Sequence, residues 1–257
     1  MEPLDRPCEP DIRRADLPKR TAQTLERERS LWHPMARRLV QGPGERGDGA
    51  EAVTVTARTL LGHLDVDADD AEAAAFLAGR CTVGDEATDG KLTAALAALV
   101  ESSAEGPART EAAMALALSG RADEGRAALR DLAASTSPFD ESYRAAAYLV
   151  QFDDPSGFPA VQRAVAGEIG HFKIMALRTV TLWEPYDGRE LDSTTIDVGA
   201  VVRSCAEDED ALVRREVPAQ LEHLALPDRR ALLEKLARDP DSGVQSAAKE
   251  ALERVGG

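Results

Sequence analysis

The chain has 257 residues and a formal net charge of −15, with 46 acidic side chains against 31 basic ones. An acidic balance of this size repels the phosphates of nucleic acids and attracts basic proteins. No apolar run approaches the roughly 18–20 residues of a membrane-spanning helix, and the N-terminus lacks the apolar stretch of a secretory signal. We therefore expect a cytoplasmic protein that binds neither a membrane nor nucleic acid.

The N-terminal part of the sequence differs from the rest. Residues 1–20 carry four prolines among mixed charges, which predicts a disordered arm. Residues 21–49 predict one helix, kinked or split at Pro34, and then a Gly-rich linker. The segment Gly42–Gly47 has the letters of a dinucleotide-binding fingerprint. However, a predicted helix precedes it instead of a strand, and Pro43 removes an amide that would face a phosphate, so we interpret it as linker.

From residue 50 to residue 257 the sequence predicts helix after helix. Breaks rich in Gly, Pro, Asp and Ser separate segments of about 10–16 residues, and the apolar residues of each segment follow helical spacing. Aromatic residues make up only 4% of the chain, and no segment has the alternation of a convincing strand. This part therefore predicts an all-α fold.

The clearest internal repeat joins Asp208–Leu221 to Asp239–Leu252, two segments 31 residues apart. The acids, Val and Leu stand at the same offsets in both: Asp208 and Asp239, Asp210 and Asp241, Val213 and Val244, and Leu221 and Leu252. A helix start repeated at a fixed period predicts stacked helical hairpins. In each hairpin, a first helix that begins at such a break is followed by a second helix with an apolar stripe of its own.

Long polar residues occupy one position near the start of each first helix. We name them the anchor residues: Arg109, Arg144, Lys173, Arg214 and Gln245. The residue three positions after the anchor is Ala in four of these helices and Val in the helix of Arg214. Small side chains at this position let neighbouring helices approach closely. We expect an anchor residue either to cover a turn or to pair with an acidic helix cap.

This pattern resembles HEAT repeats, especially the short bacterial kind also found in phycobilin lyases. The resemblance covers roughly residues 91–257, is weak over residues 50–90 and does not include residues 1–49. It implies an all-α, right-handed α-α superhelix of about five or six helical hairpins. It implies little about activity, because HEAT arrays serve as scaffolds, inhibitors, lyases and nucleic-acid enzymes.

Few residues form patterns that carry chemistry. The four histidines occur singly, and no spacing of zinc ligands and no nucleophile motif is present, so we expect no metal, no cofactor and no catalytic residue. Cys8, Cys81 and Cys205 are odd in number and far apart, which predicts reduced thiols. The acidic residues 65–72 begin with the spacing of an EF-hand, but the Gly and Glu that follow in that loop are missing. They form either a solvated turn or a docking patch for a basic partner.

Aromatic side chains and the longest interruption of the repeat occur together. Eight of the ten aromatic residues lie between residues 139 and 186, and the interval between the anchors Lys173 and Arg214 contains an insertion, Glu184–Thr195. Large aromatics and Arg dominate binding hot spots. The candidate partner-binding residues here are Phe158, Trp183, Tyr186, Asp187 and Arg189. The alternative is that these repeats have larger core residues.

Basic residues recur just after the apolar start of the second helices: Arg130, Arg163, Arg203 and Lys235. Second helices line the concave side of a solenoid, so these residues could form a basic ladder and are also candidate partner-binding residues. The alternative is a solvated surface on which they pair with nearby acids.

We therefore expect a non-catalytic protein-binding solenoid, a scaffold, an adaptor or an inhibitor of the immunity type, that engages a basic partner through its curved face. The alternative is a HEAT-like enzyme. Alkylpurine DNA glycosylases are similar in their repeats, and Trp183 and Asp187 could take the roles of their Trp and Asp around a damaged nucleotide. Pro185 between them and the acidic charge oppose this. A bilin-lyase-like role is supported by repeat type alone, and the oligomeric state stays open.

Overall fold

A computed structural model of the chain describes residues 3–5, 7–10, 21, 23, 31–41, 54–64, 70–82, 86–102, 106–119, 121–135, 139–192 and 194–256. These residues form thirteen α-helices: α1 (Trp32–Gln41), α2 (Ala57–His63), α3 (Ala71–Gly79), α4 (Glu86–Glu101), α5 (Pro107–Ala117), α6 (Ala122–Ala134), α7 (Phe139–Gln151), α8 (Phe158–Ala166), α9 (Gly170–Thr179), α10 (Val198–Ala206), α11 (Ala211–Leu221), α12 (Arg229–Leu236) and α13 (Ser242–Gly256). The predicted all-α fold is confirmed. Within this part of the chain, no helix is both long and apolar enough to cross a membrane.

Shorter elements complete the described structure. Three 3-10 helices span Pro3–Asp5, Pro155–Gly157 and Val180–Tyr186. Two strands of two residues each, β1 (Glu9–Pro10) and β2 (Cys81–Thr82), pair antiparallel. The sequence did not predict these strands, because a two-residue strand is too short to show alternation.

The N-terminal predictions are covered only in part. Within the predicted arm, residues 3–5 and 7–10 are described, and Cys8 is buried. Residues 11–20 and the predicted linker after Gln41 lie outside the described residues, as do residues 65–69 of the acidic segment. The predicted helix over residues 21–49 is described chiefly as α1, which packs against α3.

The chain divides into two compact units, Met1–Asp153 and Asp154–Gly257. In the first unit, α1, α3, α5 and α7 pack in succession, α2 packs against α4, and α6 packs against α5 and α7. In the second unit, the first helices α9, α11 and α13 form one layer, and the second helices α8, α10 and α12 form the other. Each unit therefore has the two-layer arrangement that stacked helical hairpins produce.

Small residues bring the helices of the first unit close together. Helix α5 is buried from Thr110 to Ala117, and Ala112, Ala115 and Leu116 within it are fully buried. A Cβ on Gly79 of α3 would lie 2.7 Å from the Cα of Ala115, and a Cβ on Gly125 of α6 would lie 2.1 Å from the backbone N of Ala117. Only glycine fits at these two crossings.

The repeated acids of the second unit are helix caps, at the same positions in both copies. Asp210 Oδ1 accepts a hydrogen bond from Leu212 N at 2.8 Å, and Asp241 Oδ1 accepts one from Gly243 N at 2.9 Å. Two residues before these caps, Asp208 and Asp239 accept hydrogen bonds from the backbone N of Asp210 and Asp241, at 2.9 Å. The carboxylates therefore satisfy amides that the start of a helix leaves without partners.

The anchor residues of the second unit, Lys173, Arg214 and Gln245, contact the turns that precede the first helices. Lys173 Nζ lies 2.6 Å from Asp208 Oδ2, and Arg214 forms two hydrogen bonds with the Asp239 carboxylate, at 2.8 and 2.9 Å. Arg214 also donates to Asp208 O, as Gln245 Nε2 does to Asp239 O, at 2.8 and 2.6 Å. Each anchor thereby links its own first helix to the turns around it.

The last helix has a polar outer face. Val244, Ala248 and Ala251 of α13 are buried against the preceding helices. The exposed residues of α13 on its other sides include Ser246, Lys249, Glu250, Glu253 and Arg254. This side of α13 therefore presents a surface that water can solvate.

Candidate partner-binding surface

The insertion between α9 and α10 folds as a small hairpin. Gly188 N donates to Ile196 O at 2.7 Å, and Ile196 N donates to Arg189 O at 3.0 Å. Leu191 N donates to Thr194 O at 2.8 Å. Gly188 has φ of +79°, a left-handed conformation that favours glycine, at the point where the hairpin begins. The interruption of the repeat is therefore a hydrogen-bonded structure with a defined shape.

Three contacts fasten this hairpin to the second helices. Asp187 Oδ1 accepts from Val198 N, the first residue of α10, at 2.9 Å. Thr194 Oγ1 lies 3.2 Å from Gln162 Oε1 on α8. Ile196 is fully buried. The hairpin is thus held at both of its ends against α8 and α10.

The structure places Trp183 and Phe158 in the core, where neither exposes any of its surface. Their ring centroids lie 6.1 Å apart with an angle of 54° between the planes. Among the described residues, Trp183 Nε1 has no hydrogen-bond partner. The assignment of these two residues to a binding surface is therefore corrected, because a buried ring cannot contact a partner in this fold. For the same reason Trp183 cannot stack on a nucleotide beside Asp187.

The outer side of the hairpin carries the remaining candidates. Asp187 and Arg189 are exposed and Tyr186 is half-buried, so their role in binding stays a prediction. Glu190 and Asp192 are also exposed here, and the sequence interpretation missed them. The signal was present, because these acids alternate with Leu191 as outward residues of a strand do.

Two of the basic residues on the second helices of the second unit, Arg203 and Lys235, are paired with acids. Arg203 Nε and Nη2 donate to the Asp228 carboxylate at 2.8 and 3.2 Å, and Lys235 Nζ lies 2.9 Å from Glu207 Oε1. The hydrogen bonds with Asp228 raise the pKa of Arg203, and the pKa of Asp228 is lowered in return. Lys235 likewise lowers the pKa of Glu207. These two positions therefore contribute little net positive charge.

Arg203 is the centre of an acidic surface. Its guanidinium folds back over Gly199, and Asp197 and Asp187 lie near enough to raise its pKa further. We name as the hairpin surface the residues Asp187, Arg189, Glu190, Asp192, Asp197, Arg203 and Asp228. Five carboxylates in this set face two guanidinium groups. The surface is thus acidic, in contrast to the predicted basic ladder.

The other two members of the predicted ladder lie elsewhere. Arg130 is exposed on α6 of the first unit, and Arg163 is half-buried on α8 of the second unit. Their role in binding stays a prediction. In the described part of the chain, no group of three or more His, Cys, Asp or Glu side chains could hold a metal ion.

These features define an all-helical protein built of repeated helical hairpins, with a hairpin insertion on its second helices. The sequence matches no protein-family profile, and no curated protein is significantly similar to it. Among solved structures, human deoxyhypusine hydroxylase in complex with glycerol is similar, with a TM-score of 0.39 and 14% sequence identity. The alignment covers 91% of this chain and 98% of that chain. At this TM-score the likeness carries no argument about activity.

Proposed function

We propose that this chain is a non-catalytic, HEAT-like protein-binding solenoid that engages a basic partner through the face of its second helices. The hairpin surface is the observation that carries this proposal. It interrupts the repeat, is fastened to α8 and α10, and presents outward side chains that the packing of the helices does not use. Repeat proteins place their binding residues at such positions outside the repeat pattern.

The acidic charge of this chain is the reason to propose a basic partner. The whole chain carries a net charge of −15, and the hairpin surface adds a local excess of carboxylates to that field. Such a field speeds the association of a basic protein and weakens as salt is added. A scaffold, an adaptor or an immunity-type inhibitor that covers a basic toxin would all use this surface in the same way.

The experiment is a comparison of two charge-reversed variants. One carries Glu190→Lys and Asp192→Lys on the hairpin surface. The other carries Glu101→Lys and Asp131→Lys, two exposed acids in the last turns of α4 and α6 in the first unit. Both pairs change the net charge equally, so a difference between them reports the location of binding and not the total charge.

Tagged wild-type chain and both variants are purified from the native host, and the proteins that accompany them are quantified by mass spectrometry. We expect a basic protein to accompany the wild type and the first-unit variant, and to be reduced at least tenfold with the hairpin variant. The enriched protein is then titrated against the purified chain at low and high salt. Equal recovery with all three forms, or no protein partner at all, would contradict the proposal.

A further inference from the structure

The N-terminal segment is attached to the helical body beside a cysteine. Cys8 N donates to Val55 O at 2.7 Å, and Pro7 forms a bridge with Thr56, the residue before α2. Asp5 pairs with Arg58 at 2.6 Å. These contacts hold Asp5, Pro7 and Cys8 against the start of α2.

A second attachment brings Cys8 next to Cys81. Strand β1 pairs with β2 so that Pro10 lies opposite Cys81, two residues beyond Cys8. Both side chains are buried, with 7% and 4% of their surfaces exposed, and Cys81 is near enough to Cys8 to lower the pKa of its thiol. Residues 73 positions apart in the sequence therefore meet as a dithiol, and all three cysteines of the chain carry thiols in this structure.

We propose that Cys8 and Cys81 are a redox-active pair that closes to a disulfide when a hydroperoxide reaches it. The Cys8 thiolate attacks the hydroperoxide, which breaks the O–O bond, releases an alcohol or water and leaves a sulfenic acid on Cys8. The Cys81 thiol then attacks that sulfur and water leaves. In total, two thiols lose two electrons and two protons, and one hydroperoxide is reduced.

The two kinds of cysteine in this chain differ in reactivity. A hydrogen bond from the Cys81 thiol lowers the pKa of Cys8 and favours its thiolate, the form that reacts. Burial on α10, with Asp208 nearby, raises the pKa of Cys205 to about 12, so that thiol stays protonated at neutral pH. Cys205 is therefore the internal control for the effect of burial. Its thiol is buried, as that of Cys8 is, but we expect it not to react with the hydroperoxide.

The disulfide would fasten the N-terminal segment to the end of α3. Reduced, this segment is held by the short β1–β2 ladder, the Cys8–Val55 hydrogen bond and an exposed ion pair. We expect a ladder this short to open transiently, because few backbone hydrogen bonds hold it. Opening also admits the oxidant to two buried thiols, so oxidation converts a transient attachment into a permanent one.

The test treats the full-length chain with hydrogen peroxide, denatures it with an alkylating agent present and counts the free thiols by mass. We expect three alkylated cysteines before oxidation and one afterwards, with one peptide pair joined through Cys8 and Cys81 and full reversal by dithiothreitol. Hydrogen exchange of the Cys8 amide should slow at least tenfold in the oxidised form.

Cys8→Ser and Cys81→Ser should each abolish the loss of thiols, whereas Cys205→Ser should lose two thiols as the wild type does. The wild-type peptide map decides the outcome even if a variant fails to fold. Three remaining thiols after peroxide treatment would overturn the proposal, as would a disulfide between two copies of the chain or one that includes Cys205.

Discussion

The two units of the molecule use charged residues between their first helices in different ways. In the second unit, Arg214 reaches forward to Asp239, the cap of the next first helix, and both side chains keep some exposure. In the first unit, the anchor Arg144 reaches back to Glu72 on α3 at 2.8 Å and lies 3.6 Å from Glu111 on α5. The same position in the repeat therefore serves a cap in one unit and an interior network in the other.

Glu111 is the centre of that interior network. Arg80 lies 3.6 Å from its carboxylate, both side chains are almost fully buried, and Tyr148 donates a hydrogen bond to it. Arg80 also donates to Phe76 O at 3.1 Å and stacks over the Phe76 ring. Burying these charges costs desolvation free energy, and removing one partner costs still more because the other charge stays buried without it. The partly exposed pairs of the second unit contribute less and recur at the same position of the repeat.

The largest expected effect follows from Glu111→Ala. This change leaves Arg80 as a buried cation without its carboxylate, so we expect the free energy of unfolding to fall by about 3–5 kcal/mol. Urea denaturation followed by circular dichroism measures it. As a control on α6, Glu124→Ala removes an exposed carboxylate and should cost less than about 1 kcal/mol. Equal losses from the two variants would show that the interior network is no different from a surface pair.

Arg214→Ala should have the next largest effect. The variant loses two hydrogen bonds to the Asp239 carboxylate and one each to Asp208 O and Glu209 O in a partly buried site. We expect a loss of about 2 kcal/mol in the free energy of unfolding. Arg178→Ala is the matched control, because Arg178 also binds a carboxylate through two hydrogen bonds but is half-exposed. That control should lose less than about 1 kcal/mol. A larger loss in the control would remove the distinction between cap pairs and surface pairs.

Acid should weaken the cap pairs of the second unit by a smaller amount. The Arg214 hydrogen bonds hold the pKa of Asp239 below its ordinary value, so its stabilisation is present above about pH 4 and is lost as the pH falls through the folded-state pKa. Denaturation curves of wild type and Arg214→Ala at about pH 6 and about pH 3 test this. The gap between the two proteins should narrow at the lower pH. An unchanged gap would mean that the pair contributes through packing and not through charge.

Arg203→Ala should have the smallest effect on folding. The pair with Asp228 is exposed on both sides, and we expect the free energy of unfolding to change by less than about 1 kcal/mol. The variant removes one of the two cations on the hairpin surface, so binding of a basic partner should tighten at low salt and converge on the wild type at high salt. A loss of more than about 2 kcal/mol in unfolding would instead assign Arg203 to the packing of α10 against α12.

The sequence predicted those parts of the fold that depend on local spacing. The caps of α11 and α13 repeat at one offset, and their acids hydrogen-bond within a few residues, so the pattern alone was sufficient. Local spacing could not predict the interior network, because Glu111 accepts a hydrogen bond from Tyr148, which lies 37 residues later in the chain. No local window contains both residues.

The sequence predicted where the insertion lies, and the role of the insertion in binding stays a prediction. The longest interval between anchors did mark an insertion, and the hairpin with exposed Asp187 and Arg189 lies there. Trp183 was a candidate because it directly precedes the insertion Glu184–Thr195, which indicates a break, and because large aromatics dominate binding hot spots. The chain instead continues as a 3-10 helix, Val180–Tyr186, which keeps Trp183 in the core. Whether a side chain next to a helix break is buried depends on the residues that pack around it, and these cannot be inferred from sequence spacing.

The polar outer face of α13 determines how copies of this protein behave toward one another. A stack of hairpins with an apolar last face would accept the first hairpin of another copy, and head-to-tail addition of that kind builds open filaments. Lys249, Glu250 and Glu253 keep that face hydrated, and Glu250 is further held by Arg254 at 3.2 Å. We therefore expect this face of α13 not to pack apolar side chains against another copy of the chain.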